Sequence, residues 1–165
     1  MNLTQLSKTL ILAGPLSAGI AAAHIDPCKT TLALTAAQKK QILSDIDEIK
    51  NDIKVNGETQ AFQHISDHIA QFDTKSECVC IINRHGKWIA SVFPQLTGKN
   101  FYKMDPKLAA HFYRTATKGG GWISGFRWMD IKTHKAVCKT AYVTGLLPSS
   151  SGESFYIGAG MSQQK

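Results

Sequence analysis

The chain of 165 residues is long enough for one domain and too short for two of ordinary size. Hydrophobic residues make up 43% of it and charged residues 19%, which argues against a disordered chain. The formal net charge of +7 would suit an anionic partner, but the lysines are scattered rather than clustered in a stripe. We therefore expect a solvated basic surface, no binding of nucleic acid and, at most, a preference for an anionic small ligand.

The first 23 residues have the three parts of a secretory signal peptide. Residues 1–8 are polar with one cation, residues 9–23 are small and apolar, and Ala21-Ala22-Ala23 fits the cleavage pattern. We expect cleavage after Ala23 and a soluble domain of residues 24–165, periplasmic or secreted, with no membrane association. The alternative is an uncleaved membrane anchor, although the apolar run is shorter than a transmembrane helix and is interrupted by glycine and proline.

Four cysteines, an even number, predict disulfides in an exported protein. Cys78 and Cys80 lie two residues apart and would share one face of a strand. Either could pair with Cys138 on a nearby strand, leaving the other for Cys28, and all three connectivities stay open. A redox or zinc site is the weaker alternative, because the spacing contains no C-x-x-C and fits no familiar ligand set.

Two helices are predicted in the N-terminal part of the mature chain. Thr35 and Gln38 form a capping box, and Gly57 separates the two helices. The first helix carries one apolar stripe, formed by Ile42, Ile46, Ile49 and Ile53. The second helix carries a similar pattern, formed by Phe62, Ile65, Ile69 and Phe72.

The rest of the chain reads mainly as strands. Residues 78–83 and 87–93 predict a hairpin, and residues 95–104 a loop. Asp105 and Pro106 begin a short helix that ends before Gly119. The three further strands are predicted at 122–128, 136–144 and 154–161. This order predicts an α+β domain, in which a long N-terminal helix and short helices cover a five-stranded antiparallel sheet.

Three motifs follow one another along the chain. They are Asn83-Arg-His-Gly86-Lys-Trp-Ile-Ala-Ser-Val-Phe-Pro94, then Gly98-Lys-Asn-Phe101 followed by Lys103-Met-Asp105, and finally Ile157-Gly-Ala-Gly160. In this order they resemble the hairpin, the loop and the last strand of the single Cache domain, an extracytoplasmic relative of the PAS fold. The resemblance runs from about Thr35 to Met161, nearly all of the mature chain.

The resemblance implies a stand-alone sensor module with a PAS-like sheet and a ligand pocket over it, closed by the loop from Gln95 to Asp105. Such a module would bind a small organic anion or amino acid and report to another protein, such as a membrane receptor. We expect no cofactor and no enzymatic activity, since no catalytic motif stands out. The family often has Tyr where Phe126 lies, so the ligand class is not carried over from relatives.

Lys139 is the most informative candidate for ligand binding. On the strand at 136–144 it shares a face with Val137, Ala141 and Val143, and the strand contains no acid. A buried ammonium group is costly unless it has a partner, so Lys139 could hold a ligand carboxylate. The alternative is a side chain that extends to solvent or meets a structural acid.

Four aromatic residues and one arginine complete the predicted site. Trp122, Phe126 and Trp128 should share one face of their strand and could line a pocket, although core packing is the commoner role. Arg127 lies on the other face, and we favour a surface role over a carboxylate clamp. Tyr142 resembles a strand Tyr of the family and could donate its hydroxyl, or it could be an ordinary half-buried Tyr.

Two other functions stay open. The fold could serve as a structural or protein-interaction module, with its pocket filled by its own side chains. His64 and His68, one helical turn apart, could instead bind metal together with cysteine thiols. Without a third ligand at a defined spacing, two solvated histidines are the simpler interpretation.

Overall fold

The computed structural model describes Cys28 and residues 33–67, 78–130 and 135–163. The predicted signal peptide and the residues His68, Ile69 and Phe72 lie outside this part. The helices are α1 (Ala36–Asn56), α2 (Glu58–Asp67), α3 (Phe101–Met104) and α4 (Pro106–Thr117), with a short 3-10 helix at Pro94–Leu96. The strands are β1 (Cys78–Asn83), β2 (Trp88–Ser91), β3 (Gly120–Met129), β4 (Ala136–Thr144), β5 (Leu147–Pro148) and β6 (Ser154–Ser162).

One antiparallel sheet forms the centre of the described chain, in the order β2-β1-β6-β4-β3, and β5 pairs with β6 outside this order. The predicted α+β class is confirmed, but the strand count of five was wrong. The sixth strand, β5, has only two residues, Leu147 opposite Phe155 and Pro148 opposite Ser154. A pair this short shows no alternation, so the sequence pattern does not reveal it.

Helix α1 begins and ends where its capping residues predict. The Gln38 N–H donates to Thr35 Oγ1 at 3.2 Å, and the Thr35 N–H donates to Gln38 Oε1 at 2.9 Å. Gly57 follows the last turn at a positive φ of 80°, a conformation that glycine adopts without a steric penalty. The predicted apolar stripe is confirmed, because Ile42, Ile46 and Ile49 are buried, with Ile53 partly buried beside them.

The helices cover both faces of the sheet. Helix α1 packs on β4 and β6, and α2 packs on β1 and β2, where the rings of Phe62 and Phe155 meet at 5.6 Å. Helix α4 covers the other face with Leu108 and Phe112, and its N-cap is Asp105, as predicted. Helix α3 lies within the predicted loop. Its four residues are too few to show a helical period.

A disulfide joins Cys28 to Cys138, across 110 positions of sequence. Cys78 and Cys80 are thiols on β1. Of the connectivities that the sequence left open, the structure thus has the one in which Cys28, and neither Cys78 nor Cys80, pairs with Cys138. Strand β6 lies between β1 and β4 in the sheet, which separates both thiols from Cys138.

Glu58, at the start of α2, anchors the turn between β5 and β6. Its carboxylate accepts hydrogen bonds from Ser149 Oγ at 2.6 Å, the Ser150 N–H at 2.7 Å and Ser150 Oγ at 3.2 Å. Burial raises the pKa of this carboxyl, but these hydrogen bonds outweigh it and hold the pKa below its usual value. The charged form of Glu58 is therefore the form that stabilises the folded chain.

We predict that Glu58→Gln lowers the free energy of unfolding at neutral pH by no more than about 1 kcal/mol, because the site is solvent-screened. The folded-state pKa lies below the unfolded value, so this contribution is present above the unfolded pKa and is lost as the pH falls through the folded pKa. Urea unfolding of both proteins at several pH values measures the difference. A difference that persists below both pKa values would contradict the assignment, and Asp47→Asn, at an exposed carboxylate of α1, is the control.

Candidate functional site

A small cavity lies between the sheet and helices α3 and α4. Its volume of about 20 Å³ has room for one or two water-sized groups. Aromatic and aliphatic side chains make up most of the wall. The lining residues are Cys78, Cys80, Trp88, Phe101, Leu108, Phe112, Phe126, Trp128, Lys139, Ala141, Gly158, Ala159 and Gly160.

Two glycines of the central strand β6 form the floor of the cavity. A Cβ atom at Gly158 would lie 3.0 Å from Cys80 Sγ, and one at Gly160 would lie 2.8 Å from the Thr140 carbonyl oxygen and 2.9 Å from Ala141 Cβ. Any larger residue at either position would occupy space next to the cavity or displace the neighbouring strand. The cavity therefore depends on glycine at both positions.

Aromatic rings in mutual contact make the walls. Trp88 and Trp128 stack with centroids 5.9 Å apart, and Phe101 packs edge-on against both, at 5.4 and 5.7 Å. Phe112 contacts Phe101 at 5.4 Å and Phe126 at 5.5 Å, also edge-on. Such contacts restrict the rotation of the rings that line the cavity.

Lys139 brings the positive charge into this apolar cavity. The side chain is 1% exposed and its Nζ atom is buried, so the alternative of a lysine that extends to solvent is wrong. Lys139 lies opposite Phe126 in the pairing of β3 and β4, which places both on the face of the sheet that lines the cavity. Within the described part of the chain, the lining residues include no aspartate or glutamate.

Trp88 supplies a second hydrogen-bond donor that the sequence analysis missed. The residue is 2% exposed, and its Nε1 atom is buried without a hydrogen-bond acceptor among the described residues. An indole N–H can only donate, and a buried donor without an acceptor destabilises the fold. The alternation along β2 predicts that Trp88 and Ala90 share a face, but it does not reveal that the indole N–H lacks an acceptor among the described residues.

A β-bulge at Gly125 divides the predicted aromatic face. Ser124 pairs with Thr140 and Phe126 pairs with Lys139, which leaves Gly125, with φ of 73°, as the extra residue. The bulge reverses the alternation along β3, so Trp122 does not share a face with Phe126 and Trp128, as predicted.

The structure thus brings together three of the six predicted residues, namely Phe126, Trp128 and Lys139. Trp122 and Tyr142 form a separate pair on the opposite face, with ring centroids 5.2 Å apart. There Lys39 of α1 places its Nζ atom 5.5 Å from the Trp122 ring.

Arg127 lies in a larger cleft outside the cavity, exposed to solvent. This cleft has a volume of about 550 Å³, and Trp128 lines both it and the cavity. The loop expected to close the pocket supplies several of its residues. Lining the cleft are Phe93, Gln95, Leu96, Lys99, Met104, Asp105, Arg127, Trp128 and Ala136.

The thiol of Cys80 is an uncharged part of the cavity wall. A hydrogen bond with Cys78, then burial and the nearby charge of Cys78, raise the pKa of Cys80 well above its usual value. Among the described residues, no group of three or more His, Cys, Asp or Glu side chains could hold a metal ion. His64 Nδ1 instead lies 2.9 Å from Asp52 Oδ2.

A solved structure of a chemotaxis protein shares this architecture. A methyl-accepting chemotaxis protein from Vibrio parahaemolyticus RIMD 2210633 superposes with a TM-score of 0.56 and 18% identity, over 76% of this chain and 88% of that one. The chain has the PAS-like fold of Cache domains. The fold predicted from the motifs is thereby confirmed.

Two other solved structures are more distant from this Cache-like chain. A Cache chemosensory domain described for carboxylic acid recognition gives a TM-score of 0.49 and 17% identity, over 76% of this chain and 87% of that one. An extracellular ligand binding receptor from Desulfohalobium retbaense DSM5692 gives 0.44 and 7%, over 76% and 22%. No family model and no curated protein matches the sequence. Across the described residues, every helix is too short or too polar to cross a membrane.

We predict that Gly160→Ala lowers the free energy of unfolding by about 1–3 kcal/mol, because the added Cβ meets backbone and a neighbouring side chain. Gly121→Ala is the matched control in β3, since its Cβ would lie at an ordinary 3.5 Å from Thr115 Cγ2. Urea unfolding of both variants measures the two changes. Equal effects would show that Gly160 is not sterically required.

Proposed function

We propose that this Cache-like domain binds a short aliphatic carboxylate in the cavity and does not transform it. The observation that carries the proposal is the buried ammonium group of Lys139 in a cavity with aromatic walls. A ligand carboxylate at this position would accept a charge-assisted hydrogen bond from the buried ammonium group. No other charged side chain lines the cavity within the described chain.

The Trp88 indole supports an oxygen ligand rather than an apolar one. Its buried N–H would gain an acceptor on binding, and that acceptor could be a carboxylate oxygen or a water held by the ligand. The neutral Cys80 thiol and the phenylalanine rings would contact a short hydrocarbon tail. A site that is mostly apolar, with few donors, is the usual form of a small-molecule site.

The size of the cavity narrows the ligand class. A volume of about 20 Å³ is too small even for acetate, so binding requires the cavity to widen, for example by a movement of Trp128 that joins it to the outer cleft, and the smallest acids require the least widening. An amino acid is less suitable, because its ammonium group would need a carboxylate that the described lining residues do not provide. Among the ligands expected from the sequence, small organic anions and amino acids, we therefore favour short monocarboxylates.

The small volume also supports a second candidate, a protein-interaction module that binds no ligand. In that case the aromatic side chains occupy the space in which a sensor domain would bind its ligand, and Lys139 is a buried structural residue. The two candidates differ in one property, since only the first predicts that carboxylates stabilise the folded state.

We predict that acetate or propionate raises the thermal midpoint of the protein and that ethylamine does not. Lys139→Met should abolish the shift, because it keeps the length of the side chain and removes the charge. Trp88→Phe should weaken binding by about tenfold, because it keeps a ring and removes the N–H. Trp122→Phe, on the opposite face, is the matched control and should bind as the parent does.

Calorimetric titration of each variant gives the dissociation constants. A parent that binds none of these acids would favour the interaction module. A loss of binding in Trp122→Phe equal to that in Trp88→Phe would place the ligand elsewhere.

We further propose that the domain works outside the cytoplasm as residues 24–165 and reports its ligand state to a receptor. The Cys28–Cys138 disulfide supports export, because disulfides persist in oxidising compartments. The intact mass of protein recovered from a bacterial periplasm should correspond to a chain that begins at His24, with two reactive thiols after unfolding. A mass that includes Met1, in the membrane fraction, would instead indicate an uncleaved anchor.

A further inference from the structure

Helix α4 carries a row of basic side chains on its solvent-exposed side. Lys107, His111, Arg114 and Lys118, here called the basic stripe, recur at spacings of four, three and four residues. They lie on one side of the helix over about 16 Å. The expectation that cations are not clustered was therefore wrong at this helix, where residues separated in sequence meet on one surface.

No acidic side chain of helix α4 neutralises the charge of the basic stripe. Like charges three and four residues apart destabilise a helix, and α4 contains no aspartate or glutamate. Within the described chain, Lys107, Arg114 and Lys118 form no ion pair. Together with Thr115, the stripe lines an open groove of about 420 Å³.

We infer that the basic stripe is a docking surface for an acidic segment of a partner protein. The groove is lined by charged and polar side chains, so an occupant held there by charge must be anionic, and a protein segment supplies that charge through its carboxylates. The length of the basic stripe, about 16 Å, fits a peptide segment that carries acidic residues on successive turns of a helix or along an extended strand.

A lipid surface is the weaker match. An amphipathic helix that binds membranes inserts its apolar side, whereas the apolar side of α4 is buried, with Leu108 and Phe112 on the cavity. Single-stranded nucleic acid also fits less well, because the groove offers no aromatic side chain for base stacking. The inference does not depend on the carboxylate ligand, since the stripe and the cavity lie on opposite sides of α4.

The test measures binding of a fluorescein-labelled oligo-glutamate peptide to the protein by anisotropy, at low and at physiological salt. The triple variant Lys107→Glu, Arg114→Glu, Lys118→Glu should bind at least about tenfold more weakly than the parent at low salt. Added salt should reduce this difference, because the charges are exposed. A thermal midpoint of the triple variant close to that of the parent confirms that the variant folds.

The matched control reverses three exposed lysines of helix α1, as Lys40→Glu, Lys50→Glu, Lys54→Glu, for the same change in net charge. The control should retain most of the affinity of the parent. An equal loss in both triple variants would overturn the inference, because net charge alone would then explain binding. Stripe-dependent binding to phosphatidylglycerol vesicles without binding to oligo-glutamate would also overturn it, in favour of a lipid surface.

Discussion

The ammonium group of Lys139 is buried on one face of a central sheet, and the surrounding residues are arranged around that constraint. A buried cation requires partners for its charge, and here aromatic rings surround the side chain while two glycines leave space beside it. This burial is the observation on which the proposed binding role of Lys139 rests.

The bulge at Gly125 determines which residues accompany Lys139. Without the extra residue, Trp122 would share the face of Phe126, and the cavity wall would contain a different set of rings. With it, Trp122 meets Tyr142 and Lys39 on the opposite face. One glycine thus places Phe126 and Trp128 at the cavity and Trp122 on the opposite face, which explains why the predicted site residues are only partly brought together.

The sequence predicts those parts of the fold that depend on local chemistry. The caps at Thr35 and Asp105 and the strand at 136–144 follow from patterns within a few residues, and the structure has them there. Helix α3 and strand β5 are too short to show a period. The Cys28–Cys138 pair and the Trp88 donor depend on contacts between distant residues, which no local pattern specifies.

The central claim is that the cavity beside Lys139 holds a carboxylate. A crystal structure of the protein grown with propionate tests it most directly. The account predicts a carboxylate oxygen within hydrogen-bonding distance of Lys139 Nζ, with the hydrocarbon tail against the phenylalanine rings. A cavity filled by the protein's own side chains, or propionate bound only in the outer cleft beside Arg127, would contradict it.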